Sequence, residues 1–75
     1  MTSEATKLIN LGKNIKLARR TKHLSQNALA EKLDISREHL AKIETAKRCV
    51  SLNLLFKICE VLEITESDIF QPLSI

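Results

Sequence analysis

The sequence predicts an all-α fold of five short helices around one core, and three observations lead to this fold class. Apolar residues recur at intervals of three and four along most of the chain, which is the spacing of one helix face. No segment shows the alternation of apolar and polar residues that marks a half-buried strand. One glycine and one proline among 75 residues leave long stretches of good helix formers unbroken. A chain of this length forms a single small domain.

The first helix is predicted from Leu8 to about Lys22, because its apolar stripe begins at Leu8. Residues 1–7 are polar, and we expect them to be flexible. The main domain is therefore placed at residues 8–71, followed by a C-terminal tail at 72–75. The N-terminal residues lack the apolar run of a signal peptide, and no stretch is long and apolar enough to span a membrane. We therefore expect a cytoplasmic chain.

The second and third helices are predicted at about 26–33 and 36–45, separated by a very short turn. Ser25 and Ser36 stand where a hydroxyl N-cap is favoured. Asp34 occupies the turn, and Asp tolerates the left-handed backbone better than most residues other than glycine. Two amphipathic helices joined by three to four residues indicate a helix-turn-helix, whose second helix is shaped to enter a DNA major groove.

Two further helices complete the predicted domain. Ser51 is expected to cap a fourth helix with a core stripe of Leu52, Leu55, Ile58, Cys59 and Leu62. Thr65 is expected to cap a fifth helix, since Asp68 follows three residues later, as in a capping box. Pro72 should end that helix, because proline lacks the backbone N–H that a helix requires.

The positive charge is concentrated in one part of the chain. Residues 1–50 carry eleven Lys and Arg against five Asp and Glu, a net charge of +6, whereas residues 51–75 carry one against four, a net charge of −3. Taken alone, this division is equally compatible with solvated helix faces of random sign. Combined with the helix-turn-helix pattern, it favours a nucleic-acid partner, with the acidic end directed away from the phosphates.

The sequence offers no pattern typical of an enzyme, a cofactor site or a metal site. It contains no nucleophile–base pair, glycine-rich phosphate loop or paired-carboxylate signature. Cys49, Cys59, His23 and His39 lack the spacing of a zinc motif. Cys59 is expected to be a buried thiol on an apolar helix face. Cys49 falls in a predicted loop, where a redox role for an exposed thiol is the less favoured alternative.

The chain resembles the phage-repressor (Cro/XRE-type) helix-turn-helix family over about residues 11–70. The matching positions include Leu24-Ser25-Gln26, Leu29-Ala30, Leu33, Ile35-Ser36, Leu40, Ile43-Glu44, Lys47-Arg48 and Ser51-Leu52 with Leu55. The resemblance implies a lambda-repressor-like domain that binds double-stranded DNA as a homodimer on an inverted-repeat operator. Such a protein would be a repressor or operon controller, of phage, restriction–modification or mobile-element type. The alternative is a helical protein-interaction module, such as an antitoxin-like or adaptor subunit, with the same fold.

The resemblance also implies roles for individual side chains. Arg37, Glu38 and Lys42 fall at the family's base-reading positions. The implied phosphate contacts are Gln26, Asn27, His39, Lys47 and Arg48. Glu38 has two alternative roles, because an acid favours a helix N-terminus and can also repel phosphate at wrong sites. For His39, a packing or phosphate role is as well supported as base reading.

Three further features of the resemblance concern structure rather than contact with DNA. Arg19 and Glu44 resemble an intramolecular ion pair between the first and third helices. Asp34 and Ala46 depart from the family, which usually has glycine at both positions. Ala46 lacks the easy access of glycine to positive φ, so the loop around Lys47 is expected to follow a different path.

Apolar residues near the C-terminus predict where two copies meet. The residues left without an internal place once the core stripes are assigned are Leu54, Val61, Phe70, Leu73 and Ile75. Scattered apolar surface residues are ordinary, but these are concentrated in the acidic last third. They favour a two-fold dimer through the fourth and fifth helices. The recognition helices would then lie roughly 34 Å apart, with half-site centres about 10 base pairs apart.

Overall fold

Five helices follow one another in the computed structural model, which describes residues 4–71. They are α1 (Glu4–Thr21), α2 (Gln26–Leu33), α3 (Arg37–Glu44), α4 (Leu52–Leu62) and α5 (Glu66–Ile69). Within this range there is no strand, and the predicted all-α fold class is confirmed. The helix-turn-helix consists of α2 and α3, within one residue of the predicted bounds.

Hydroxyl side chains cap α2 to α5, as the sequence predicts. In each case the hydroxyl accepts the backbone N–H three residues later, and the four caps are Ser25, Ser36, Ser51 and Thr65. At α5 the carboxylate of Asp68 accepts the N–H of Thr65 in return, which completes the capping box. Each cap contributes roughly 1 kcal/mol, a useful amount for helices too short to be stable alone.

Helix α1 begins at Glu4, four residues before the predicted start at Leu8. The predicted start is wrong because it relied on the apolar stripe, whereas residues 4–7 extend the helix as exposed turns. Glu4 lies in the first turn, where the helix dipole favours an acidic side chain. The rest of the predicted N-terminal segment and the predicted stop at Pro72 lie outside the described residues.

The core lies where the four longer helices meet, and Ile69 of α5 closes it. Its fully buried side chains are Ile15, Leu29, Leu40, Ile43, Ile58, Leu62 and Ile69. Two expectations about α4 are wrong. Leu52, assigned to the core stripe, is 63% exposed because it lies at the first position of α4, before the turn that packs. Leu54 and Val61, left without an internal place, pack partly against the core, since α1, α2 and α5 all contact α4.

Four helices end in the same left-handed turn. The residues with φ between 57° and 62° are His23, Asp34, Ala46 and Glu63. After each one, the next backbone N–H donates to a carbonyl five residues earlier, as from Lys47 to Lys42 at 2.8 Å. This is the Schellman arrangement, in which glycine usually holds the left-handed position.

Ala46 therefore adopts the conformation that glycine would have adopted, and the predicted different path of its loop is wrong. Left-handed backbone costs a non-glycine residue about 1–2 kcal/mol. The N–H groups of Ala46 and Lys47 both bond to carbonyls of α3 in return. Asp34 has φ 58° and ψ 43°, which confirms the left-handed turn predicted between α2 and α3.

Candidate nucleic-acid interface

The outward face of α3 carries the charged side chains of the helix-turn-helix. Leu40, Ile43 and Glu44 form the buried side of this helix. Because successive residues rotate by about 100°, Glu38 and Lys42 lie one turn apart on the opposite side. Arg37 is exposed at the first position of the helix. The three residues predicted to read bases are therefore all accessible on one helix.

Two smaller residues share this face and were not predicted. Ala41 is half-buried and Thr45 is exposed at the C-terminal end of α3. The Thr45 hydroxyl donates to the Ala41 carbonyl at 2.8 Å, which leaves the threonine methyl group as its apolar surface. Small methyl-bearing side chains of this kind contact thymine methyl groups in other complexes. Both residues are at helical intervals of three and seven from Glu38, a spacing that the sequence already contains.

The start of α2 presents backbone donors beside an amide side chain. The Ser25 hydroxyl accepts the N–H of Ala28 at 3.0 Å. The first two N–H groups of the helix, those of Gln26 and Asn27, cannot have partners within the helix. Asn27 is exposed and Gln26 is half-buried. Such a helix start favours a phosphate oxygen.

Gln26 makes a contact that the sequence did not predict. Its Nε2 donates to Oε1 of Glu44 at 3.1 Å, across 18 residues of chain. This bond places the start of α2 beside the C-terminal end of α3. The basic loop of residues 46–50 begins at the same end, and its Lys47 and Arg48 are exposed. Gln26 and the basic loop thus lie at the C-terminal end of α3, about 10 Å along the helix from Arg37, whereas His39 lies near the start of the helix.

His39 lies near the start of α3 and is half-buried. Its backbone N–H donates to the Ser36 hydroxyl at 3.0 Å, which belongs to the helix cap rather than to any DNA contact. Its partial burial is compatible with a packing role, a phosphate contact or base reading by its imidazole.

The expected ion pair between Arg19 and Glu44 is present and buried. Arg19 Nε donates to Glu44 Oε2 at 2.8 Å, and Nη2 donates to Oε1 at 3.2 Å. The third nitrogen, Nη1, donates to the carbonyl of Leu24 at 2.8 Å. Only 9% of the Arg19 side chain and 1% of the Glu44 side chain are exposed. Such complete hydrogen bonding is what a buried ion pair requires.

Gly12 allows α1 to approach the C-terminal end of α3 closely, next to the ion pair. A Cβ atom at Gly12 would lie 2.6 Å from the carbonyl oxygens of both Ile43 and Glu44. Any side chain would therefore push apart the two backbones. The single glycine of the chain serves close packing here, not a left-handed turn.

The predicted dimer residues are only partly available on the surface. Phe70 is 42% exposed, whereas Leu54 and Val61 are half-buried. The other two, Leu73 and Ile75, lie outside the described residues. Phe56 was not among the predicted dimer residues, yet it is 48% exposed on α4 and lies one turn from the exposed Leu52. We call Leu52, Phe56 and Phe70 the apolar surface.

Two ionisable groups away from α3 have shifted pKa values. Burial raises the pKa of the Cys59 thiol, with smaller contributions from the charges of Glu66 and Asp68. A hydrogen bond and ion pair from Lys22 lower the pKa of the exposed Glu63 carboxyl. Within residues 4–71, no group of His, Cys, Asp and Glu is arranged to hold a metal ion. In the same range no helix has the length and apolar character needed to cross a membrane.

Comparison with known proteins identifies the family. A helix-turn-helix family model matches residues 15–69, which include α2 to α5 and the last part of α1. The chain belongs to this helix-turn-helix family. This confirms the resemblance found in the sequence.

Several relatives of this helix-turn-helix chain are control proteins. Control protein C.MunI from Mycoplasma sp is 39% identical over 66 residues, covering 87% of this chain and 89% of the relative. The restriction-modification controller protein C.AhdI from Aeromonas hydrophila superposes with a TM-score of 0.78 at 30% identity, covering 84% of this chain and 96% of C.AhdI.

A third relative has been solved on DNA. The controller protein C.Esp1396I, as a tetramer with its natural 35 base-pair operator, has a TM-score of 0.74 and 28% identity. The similarity covers 92% of this chain and 88% of that one. The likeness therefore extends over nearly the whole helical domain in each case.

Proposed function

We propose that this chain is a sequence-specific, DNA-binding transcription regulator that controls a restriction–modification operon. The observation that carries the proposal is the accessible surface of α3, where Glu38 and Lys42 lie opposite the buried side and Arg37 is exposed at the first position. In a major groove, Arg37 would bind guanine O6 and N7, and Glu38 would accept from a cytosine amino group. Gln26 and the basic loop would contact the phosphate backbone of the DNA and fix the position of the protein along the duplex.

The type of operon is inferred from the relatives. C.AhdI and C.Esp1396I are restriction-modification controller proteins, and C.MunI is a control protein. Their similarity favours this class over the phage-repressor and mobile-element alternatives. We propose no catalytic role for the chain. Because its proposed ligand is DNA, we expect it to act in the cytoplasm.

The proposed active form is a homodimer on an inverted-repeat operator. The apolar surface lies on α4 and at the residue that follows α5, in the acidic part of the chain that is least suited to face phosphate. A two-fold contact there would bury Leu52, Phe56 and Phe70 and leave both α3 helices free. Half-site centres would be about 10 base pairs apart. By analogy with the C.Esp1396I tetramer, two such dimers could occupy one longer operator.

DNA binding is tested by selecting duplexes from a random pool and measuring affinity by fluorescence anisotropy. We expect enrichment of an inverted repeat. Arg37→Ala should weaken binding to the selected duplex by about 1–3 kcal/mol and relax one base position per half-site. Gln26→Ala should weaken selected and random duplexes by similar factors, because phosphate contacts carry no sequence information. A wild-type chain that binds no duplex at low salt would instead support the protein-interaction module.

The dimer is tested by analytical ultracentrifugation of Phe56→Glu and Phe70→Glu. Each variant places an unpaired charge on the apolar surface and should sediment as a monomer with unchanged helical circular dichroism. Leu17→Glu is the matched control, since Leu17 is 57% exposed on α1 and lies outside the apolar surface. Equal disruption by the control, or a monomeric wild type at high micromolar concentration, would contradict the proposed interface.

A further inference from the structure

The side chain of Gln26 bonds to Glu44 of α3, and Glu44 is in turn bonded to Arg19 of α1. One Glu44 oxygen, Oε1, accepts both Gln26 Nε2 at 3.1 Å and Arg19 Nη2 at 3.2 Å. The other oxygen accepts Arg19 Nε at 2.8 Å. Arg19 also holds the carbonyl of Leu24, two residues before Gln26, at 2.8 Å. The network therefore anchors the start of α2 through both its backbone and its first side chain.

We propose that Glu44 is a positioning residue for DNA phosphate binding and acts through Gln26. This inference rests on the proposed function. A primary amide has two N–H donors, of which Glu44 occupies one. That bond restricts rotation of the amide and leaves its second donor available on the first residue of α2, where the N–H groups of Gln26 and Asn27 have no partner within the helix. A phosphate oxygen would then meet donors that are already arranged, which reduces the entropy lost on binding.

Arg19 explains why the negatively charged Glu44 can lie near the proposed phosphate site. An uncompensated carboxylate beside the start of α2 would repel the DNA backbone. Arg19 neutralises Glu44 through two hydrogen bonds, and the pair is almost fully buried. The amide of Gln26 is neutral and half-exposed. It can therefore face a phosphate in the orientation that Glu44 sets, without adding a negative charge.

The test replaces the ion pair by apolar residues, Arg19→Met together with Glu44→Leu. Replacement of both members of a buried pair generally preserves folding, whereas removal of one does not. Loss of the amide's orientation should weaken binding to selected and random duplexes alike, by about two- to tenfold per half-site. In this double variant, Gln26→Ala should weaken DNA binding by a factor at least three times smaller than it does in the wild type. The reason is that both changes remove the same contribution to binding.

Two controls separate positioning from general damage. Thermal melting must show that the Arg19→Met, Glu44→Leu variant is folded. Arg37→Ala and Lys47→Ala should each weaken binding by the same factor in both backgrounds, which would show that α3 and the basic loop remain in place. If the double variant binds as the wild type does, and Gln26→Ala keeps its full cost there, the ion pair is structural only and the inference is overturned.

A measurement on the wild-type protein covers the case in which the double variant does not fold. NMR spectra should show that one Gln26 side-chain amide proton is protected in the free protein, and that the other shifts when duplex DNA is added. If neither proton responds to DNA that the chain binds, the positioning role is refuted while the proposed function stands. Absence of salt-dependent duplex binding by the wild type would refute the proposed function itself.

Discussion

Replacement of Ala46 by glycine is expected to stabilise the domain. Ala46 has a φ of 62°, and a left-handed backbone costs a residue with a Cβ atom about 1–2 kcal/mol. Glycine avoids that cost but loses about 0.5–1 kcal/mol more than alanine through conformational entropy. At the midpoints of these two ranges, the difference favours Ala46→Gly by about 0.75 kcal/mol. For a domain of this size the melting temperature should rise by about 2–8 °C.

The assay is thermal unfolding followed by far-ultraviolet circular dichroism, with Ala41→Gly as the matched control. Ala41 lies in the interior of α3, where the same chemical change should destabilise the protein by about 1 kcal/mol. The two substitutions should therefore move the melting temperature in opposite directions. If Ala46→Gly destabilises the domain as much as Ala41→Gly, Ala46 is not in the left-handed conformation in solution and the reasoning is refuted.

The same variant also tests the loop that follows α3. Since Ala46 already adopts the backbone conformation of glycine, Lys47 and Arg48 should keep their positions in Ala46→Gly. Its affinity for the selected duplex should stay within about twofold of the wild-type value, because no contact is lost. A large change in affinity would show that the loop moves.

Three further predictions concern the packing around α3 and one surface ion pair. Arg19→Ala leaves the buried Glu44 unpaired and should cost about 3–5 kcal/mol, lowering the melting temperature by at least about 12 °C; a shift under about 4 °C would contradict the burial of the pair. Gly12→Ala gains about 1 kcal/mol of helix propensity, but the clash of the new Cβ atom with α3 should outweigh this gain. The variant should therefore be less stable than the wild type and bind the operator more weakly. A more stable variant that binds DNA normally would disprove the close packing. Because Lys22 lowers the folded-state pKa of Glu63 below its ordinary 4.5, their pair stabilises the fold above that pH and is lost as the pH falls through the folded pKa. Lys22→Ala should therefore lower the melting temperature slightly at neutral pH and low salt, and have no effect in strong acid or high salt.

The sequence by itself determined the features that depend on a few neighbouring residues. The hydroxyl caps at Ser25 and Ser36 and the left-handed Asp34 follow from hydrogen bonds and sterics within one turn of backbone. The periodic apolar residues likewise indicated the helices and most of the core. Even here the prediction reached only as far as the apolar stripe, so the polar first turn of α1 at Glu4 was missed.

Only the tertiary structure decided which helix faces are covered and which polar groups meet. Leu52 and Leu54 have the same side chain, yet the first is exposed and the second packs against the core, because neighbouring helices cover only some sides of α4. The bond from Gln26 to Glu44 depends on how closely α2 and α3 cross, and the contact at Gly12 depends on the distance between α1 and α3. Periodicity specifies the direction of a side chain relative to its own helix axis. It carries no information about the neighbour on that side, which is set by the packing of the whole core.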